Sequence, residues 1–291
     1  MAWTAIVNPA AGRGRTRRLL AGLERAATAA GAALEISDAP GAPTRLAHAA
    51  AAAGHDLVAC GGDGLVTEVA GVAADTGRRL AIVPTGSGND FARTLGYATK
   101  RPLEAFGVLA AGRDRVVDLG RVNGRWFTTV TASGFDAEAN RWANTVTRLS
   151  GTTLYVAAIF RTLAVYRPQE FRITVDGEAH EITAWLVAVG NGPSYAGGMR
   201  VAPGARLDDG ILDVTVVGAV SRAALVANLP KIFSGRHVAH PDVHLFRGSR
   251  VEVAPGAPGG FAMECYADGE RVGPLPAAIE AVRGALTVRV P

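Results

Sequence analysis

The first third of the chain alternates short apolar runs with longer stretches whose apolar residues recur at helical spacing. Residues 4–9 (TAIVNP) read as a strand ending in a turn. Residues 15–30 carry Leu19, Leu20 and Leu23 on one side of a helix. Residues 33–38 (ALEISD) read as a second strand, and 44–53 as a second helix capped by the Thr44 hydroxyl. Residues 56–60 form a third strand pattern, followed by Gly-Gly-Asp-Gly and a helix over 65–74. Residues 79–84 form a fourth, followed by Thr-Gly-Ser-Gly-Asn-Asp and a helix from Phe91. Continuous apolar strands separated by helices predict a parallel sheet covered on both faces. The glycine loops all fall at strand C-terminal ends, where such sheets bind ligands.

After about residue 118 the pattern changes. Strand patterns follow one another at 121–133, 171–189, 210–219, 242–254, 261–273 and 285–290. Asn123-Gly124, Asp176-Gly177 and Asp268-Gly269 are hairpin signals, because both central residues of a type I′ turn need positive φ. Helical stretches interrupt near 138–166 and at 221–234. The expectation is an α/β domain over 1–118 followed by an antiparallel β-sandwich or open barrel over 119–291. Two domains with a short join imply a cleft, the default ligand site.

Composition narrows the partners. The 291 residues are 48% hydrophobic but only 6% aromatic, so the core is built largely from small side chains. The net charge of +4 favours anionic partners such as nucleotides or phospholipid surfaces. No aromatic–basic stacking pattern accompanies it, so nucleic acid is not expected. Cys60 and Cys265 lie far apart without metal-ligand spacing and read as buried, reduced thiols of a cytosolic protein. The N-terminal MAWTAIVNP runs straight into a strand pattern, so no signal peptide is expected. The most apolar run, LYVAAIFRTLAVY at 154–166, carries Arg161 and falls short of the ~20 residues a spanning helix needs. Any membrane contact is therefore expected to be peripheral. His237, His240 and His244 flank Pro241, which breaks the helix that could align them on a metal.

Three loops carry the chemistry: Asn8-Pro9-Ala10-Ala11-Gly12, Gly61-Gly62-Asp63-Gly64, and Pro84-Thr85-Gly86-Ser87-Gly88-Asn89-Asp90. At one sheet edge they would offer backbone N–H groups, hydroxyls and helix N-termini to a phosphate. Neither the GxxxxGK[ST] phosphate loop nor the GxGxxG dinucleotide fingerprint is present. Arg13, Arg15, Arg17 and Arg18 follow the first loop; for Arg17 and Arg18 a solvated helix face is the plainer reading. Asp63 is the odd member, since a carboxylate repels phosphate unless a metal stands between them or it is a local turn cap.

NPAAG, GGDGLVTEV and PTGSGNDFAR resemble the nucleotide-binding motifs of the diacylglycerol kinase catalytic-domain superfamily, which includes bacterial lipid kinases and sphingosine and ceramide kinases. Downstream, NGPSYAGGMRVAPGARLDDGILDV (191–214) resembles the family's second-domain segment, and YADGERVGPLP (266–276) its C-terminal DGE motif. The resemblance implies a three-layer N-terminal domain related to phosphofructokinase and NAD kinase, then a β-sandwich. It implies ATP and Mg²⁺ at Asn8, Pro9, Ala10, Ala11, Gly12, Thr44, Gly61, Gly62, Asp63, Gly64, Leu65, Val66, Thr67, Gly86, Ser87 and Asn89. It implies proton abstraction by Asp268 or Glu270, with Asp63 as the corresponding base in sphingosine kinases. Asp176-Gly177-Glu178 is a second DGE that local sequence cannot separate from the first; only the flanking RVGPLP and C-terminal position favour Asp268. A structural Mg²⁺ is implied at Asp209 with the Arg206 and Ile211 carbonyls. Leu65-Val66-Thr67 departs from the Thr-Leu-Asn common after GGDG in diacylglycerol kinases, which weakens diacylglycerol as the specific acceptor.

The expectation is a Mg²⁺-dependent lipid kinase, cytoplasmic and peripheral on an anionic membrane face, with a homodimer left open. A kinase of a soluble acceptor, as in NAD kinase, and a non-catalytic nucleotide or lipid sensor are the alternatives.

Overall fold

The computed structural model describes residues 2–143, 158, 161–256 and 263–291. The chain forms two compact units, Met1–Asp118 with Arg283–Pro291, and Leu119–Val282.

The first unit contains β1 (Trp3–Val7), α1 (Ala11–Ala29), β2 (Ala32–Ile36), α2 (Ala42–Ala52), β3 (Asp56–Gly61), α3 (Asp63–Thr76), β4 (Leu80–Pro84), α4 (Asp90–Thr94) and α5 (Val108–Ala111). The strands pair in parallel in the order β2-β1-β3-β4. β1, β3 and β4 are buried along their whole length, which is why they read as unbroken apolar runs, whereas edge strand β2 is mostly exposed. Val66, Val69, Ala70 and Ala73 turn one face of α3 into the core. Cys60 and Cys265 are free and buried, and burial pushes both thiols up.

Three details differ from the sequence expectation. α2 begins at Ala42 with Gly41 as its N-cap, so Thr44 lies inside the helix and is not the cap. α1 begins four residues early but is kinked: Gly12, Arg13 and Gly14 all have positive φ. The last nine residues, which a division at 118 gives to the second domain, pack with the first. There Tyr97 Oη donates to the Arg289 carbonyl and accepts the Ile82 N–H, and the Arg289 guanidinium bonds Asp114 at 3.0 Å.

The second unit takes in part of β5 (Arg113–Val122), β6 (Arg125–Phe127), β7 (Val130–Gly134), α6 (Phe135–Ala143), β8 (Gln169–Val175), β9 (Glu178–Gly190), β10 (Leu212–Gly218), α7 (Arg222–Asn228), β11 (Val243–Gly248), β12 (Arg250–Pro255), β13 (Glu264–Ala267), β14 (Glu270–Pro274) and the first part of β15 (Ala277–Val290). Its strands pair antiparallel in the order β14-β13-β7-β9-β8-β12-β15, and β10 lies between β9 and β11. β9 changes partners midway: Glu178–Ala184 pair β8, while Leu186–Gly190 pair β7 on one side and β10 on the other. Its second half is accordingly buried on both faces. Val187 and Val189 face one cluster with Phe171, Ile173 and Leu212; Trp185, Leu186 and Ala188 face another with Phe135, Tyr195 and Met199. Residues 154–157, 159 and 160 of the 154–166 run lie outside the described residues.

All three hairpin signals are turns with positive φ at both central residues: Asn123-Gly124, Asp176-Gly177 and Asp268-Gly269. At the first DGE, Asp176 accepts the Ser249 and Arg250 N–H groups at 3.1 and 2.9 Å, closing the turn between β11 and β12. Those N–H groups, Arg250 first, hold its pKa below the ordinary carboxylate value. A depressed folded pKa adds stability above the unfolded value and loses it as pH falls through the folded one. Asp176→Ala should therefore cost about 0.5 kcal/mol at neutral pH, the exposed carboxylate being screened by solvent. The gap to wild type should close in acid, which urea unfolding at two pH values measures; an equal gap at both would refute the turn role.

Candidate active site

The three glycine loops meet at the C-terminal edge of the β1-β3-β4 sheet. Gly61 O accepts the N–H groups of Thr85 and Gly86 at 3.0 and 3.1 Å, tying the second loop to the third. The two backbones approach so closely that a Cβ on Gly86 would overlap the Cα of Gly62. A Cβ on Gly12 would stand 2.7 Å from Thr85 O, so the first loop closes on the third in the same way. Behind them, Thr16 Oγ1 lies 2.7 Å from Thr85 Oγ1, in full burial.

Asp63 fastens this arrangement. It is the first residue of α3, and its two carboxylate oxygens accept the Asn89 and Asp90 N–H groups, each at 2.7 Å. The carboxylate thus caps α4, and the open question about its place among glycines gains a structural part. Asn89 adopts φ 54° and donates from Nδ2 to Gly86 O at 2.8 Å. Its Oδ1 is buried and accepts no hydrogen bond among the described residues. Arg93 closes the loop from outside, bonding Asp90 at 2.9 Å and Gly88 O at 2.8 Å.

The expected nucleotide residues divide by what they can offer. Leu65 and Val66 are 5% and 3% exposed, so their side chains belong to the core. The Gly64 and Leu65 N–H groups, in the first turn of α3, have no intrahelical partner and suit an anion. Ser87 is exposed, and with Gly12, Arg15, Gly86, Asn89 and Lys100 it lines a depression with a basic rim. Asn8, Pro9 and Ala10 line a second depression with Gly41 and Glu68. Asn8 Oδ1 accepts the Ala10 N–H at 2.9 Å, which sets the turn. Thr44 donates to Glu68 Oε2 at 2.9 Å on that side. Thr67 lies one turn into α3, half-buried. Arg17 and Arg18 are exposed.

In the second unit, Asp268 is held by five donors. Thr128 gives its N–H at 2.6 Å and hydroxyl at 2.8 Å. Thr129 gives its N–H at 2.9 Å and hydroxyl at 2.6 Å, and the Val130 N–H lies at 3.2 Å. Asn191 and Gly192 brace the threonines: both N–H groups bond Thr129 O, and Asn191 Nδ2 donates to Thr128 O. This gives the Asn191-Gly192 pair that opens the 191–214 segment a structural role. Thr128 and Thr129 were not among the expected residues; the signal available was a paired hydroxyl run just after the Asn123-Gly124 hairpin. Glu270, two residues on, is exposed at the start of β14.

The implied structural Mg²⁺ set is arranged differently. Asp209 Oδ1 accepts the Ile211 N–H at 3.1 Å, and Oδ2 accepts the Arg247 guanidinium at 2.7 Å. Arg247 Nε also lies 3.3 Å from Asp213 Oδ1. Arg206 pairs with Asp208. Burial raises the Asp213 carboxyl above its ordinary value, against the pull of Arg247. The carboxylate expected to hold a metal thus holds an arginine, which a cation here would have to displace.

The loop closure is testable without any ligand. Gly86→Ala places a methyl against the Gly62 backbone, which cannot yield as a side chain would. It should destabilise the fold by about 1–3 kcal/mol, read as a lower urea midpoint at unchanged slope. A neutral result would mean that the two loops do not touch.

Comparisons with known proteins identify the family. Residues 2–122 match the family model "Diacylglycerol kinase catalytic domain", and 129–290 match "YegS C-terminal NAD kinase beta sandwich-like domain". A diacylglycerol kinase of Mycobacterium tuberculosis (strain H37Rv) is 40% identical over 227 residues, covering 76% of this chain and 72% of that protein. One from Bacillus subtilis (strain 168) is 29% identical over 200 residues, covering 68% and 64%. A solved diacylglycerol kinase from Bacillus anthracis str. Sterne superposes with a TM-score of 0.76 at 25% identity, covering 100% of this chain and 97% of that one. On these matches, and with the three loops and the DGE turn formed as described, the chain belongs to the diacylglycerol kinase family and is a kinase.

Proposed function

We propose that this kinase transfers the γ-phosphoryl group of ATP to the hydroxyl of a membrane lipid, diacylglycerol or a related lipid such as a sphingoid base. The single observation that carries the donor half is the Asp63 clasp. It ties the second glycine loop to the third at one sheet edge, with the Gly64 and Leu65 N–H groups of α3 and the Arg15 and Lys100 side chains beside them. Such a cradle costs little reorganisation when an anion arrives, because the protein's own hydrogen bonds have already fixed it. Mg²⁺ accompanying the nucleotide would offset the phosphate charge, and Asp63 supplies a carboxylate close enough to orient its waters.

The acceptor half rests on the DGE turn. The lipid O–H attacks the γ-phosphorus; its proton passes to a carboxylate, the bond to the β-bridging oxygen breaks, and ADP leaves. Glu270, exposed at the start of β14, is the better placed of the two acids to take that proton, since both Asp268 oxygens already accept from donors that fix the turn. Phosphoryl transfer through a loose transition state depends more on positioning than on base strength. The site of action is an anionic membrane surface, approached from the side. Among the described residues no helix is long and apolar enough to cross a membrane.

Radiolabelled ATP with Mg²⁺, offered to micellar diacylglycerol, monoacylglycerol, sphingoid base and ceramide, with NAD separately, tests the reading. Label should enter one lipid. Glu270→Gln should lower kcat by about 10²–10⁴ with little change in KM, whereas Asp268→Asn, which unpins the turn, should also lower the urea midpoint. Label in NAD would move the acceptor to a soluble compound. ATP binding without transfer to any of these would refute the lipid assignment.

A further inference from the structure

The chain builds one turn motif twice, with different partners. At Asp176-Gly177-Glu178 the carboxylate is exposed and accepts the Ser249 and Arg250 N–H groups and the Ser249 hydroxyl, the last at 3.1 Å. That suffices to form the turn, since Asp176 and Gly177 hold positive φ just as Asp268 and Gly269 do. At Asp268 the partners are two buried threonines, Thr128 at 1% and Thr129 at 2% exposure. Thr128 gives Oδ2 its N–H and its hydroxyl; Thr129 does the same for Oδ1.

This clasp exceeds what a turn needs. Consecutive side chains of a strand point to opposite faces, so neighbouring hydroxyls cannot reach one carboxylate from a strand. Residues 128 and 129 instead form a bend between β6 and β7, which brings both hydroxyls to the same side. Asn191, fully buried, holds the bend: its Nδ2 donates to Thr128 O at 2.9 Å, and its N–H to Thr129 O at 2.8 Å. A carboxylate has about four acceptor sites, and here a threonine takes up each oxygen. Rotation about the Asp268 Cβ–Cγ bond would break charge-assisted hydrogen bonds on both. The far side of the turn is held as well. Arg125 donates to Arg271 O at 2.9 Å, and the Arg271 guanidinium lies 2.7 Å from Glu264. Glu270 stands between these two fixed points, opposite Ala267 in the β13-β14 ladder.

From the contrast between the two turns we propose that Thr128 and Thr129 are positioning residues for phosphoryl transfer. Their hydroxyls hold the second DGE turn so that the Glu270 carboxylate meets the acceptor hydroxyl. The inference rests on the reading of Glu270 as the base. A base displaced by about 1 Å loses rate, while substrate contacts made elsewhere keep binding.

Thr129→Val removes one hydroxyl at nearly constant volume and leaves four donors on Asp268. It should lower kcat about 10-fold, and Thr128→Val with Thr129→Val about 10²-fold, with KM for ATP unchanged. Thr129→Ser, which restores the hydroxyl, should recover the rate. Ser249→Ala, at the other DGE, should leave kcat as it is. The deciding readout is a double-mutant cycle with Glu270→Gln, run on the acceptor that takes label. Because the threonines act through Glu270, Thr129→Val should lower kcat no further once Glu270→Gln is present. A merely structural role would lower kcat by the same factor in both backgrounds, and that result overturns the proposal. So does a wild-type kcat in Thr129→Val, or a Thr129→Ser variant as slow as Thr129→Val. If the double valine variant does not fold, the single one decides. Glu270→Gln at the wild-type rate overturns the base reading and the proposal with it. Rate lost in Glu270→Gln, with an equal valine factor in both backgrounds, overturns the positioning role alone.

Discussion

The nucleotide edge of the first unit depends on two glycines sharing one space. Gly62 and Gly86 come so close that no side chain fits between them, and this contact lets the Gly61 carbonyl receive both Thr85 and Gly86. Asp63 then spans the gap with a carboxylate, each oxygen bound to one N–H of the third loop. Without the approach, the carboxylate would miss Asn89 and Asp90; without the carboxylate, α4, only five residues long, would start with unsatisfied donors. The positive φ at Gly12 and Arg13 brings the first loop onto the same point. Loops built this way are held by their own hydrogen bonds before any ligand arrives, which is the condition for electrostatic stabilisation at low reorganisation cost.

The second unit uses the same device for a different end. Asp176 and Asp268 each open a DGE, each sits in the left-handed region before a glycine, and each carboxylate is taken up by backbone donors. What differs is the element opposite. Asp176 meets the turn between β11 and β12, whereas Asp268 meets Thr128 and Thr129, with their hydroxyls, braced by Asn191. Sequence alone could not separate the two motifs, because the turn is local and the opposite element is about 140 residues away for Asp268.

That contrast describes the limits of sequence reading throughout. The parallel strands, the three hairpins and the loops were legible because apolar period and Gly or Asn-Gly turn chemistry act within a few residues. The kink in α1, the cap of α2 at Gly41 and the return of 283–291 to the first unit were not. The first and the last are decided by distant partners, Thr85 O beside Gly12 and Asp114 bonded to Arg289. Arg247 beside Asp209 belongs to the same class, since nothing in ARLDDGIL announces an arginine 38 residues on. At candidate sites the cost of this blindness is greatest, because sites are assembled from separate loops.

Leu65 carries the argument one step further. A hydroxyl after GGDG would offer phosphate one more donor, and its replacement by leucine reads as a loss. A Cβ on Gly61 would overlap the Leu65 side chain, so leucine instead packs over the end of β3 at the point where the second loop turns. The residue is 5% exposed, and its N–H stays in the first turn of α3. The substitution therefore removes a side-chain donor while securing the backbone donors. In loops whose geometry is fixed by Gly–Gly contact and the Asp63 clasp, the donors on offer are backbone N–H groups, and the side chain at this position is free to serve packing.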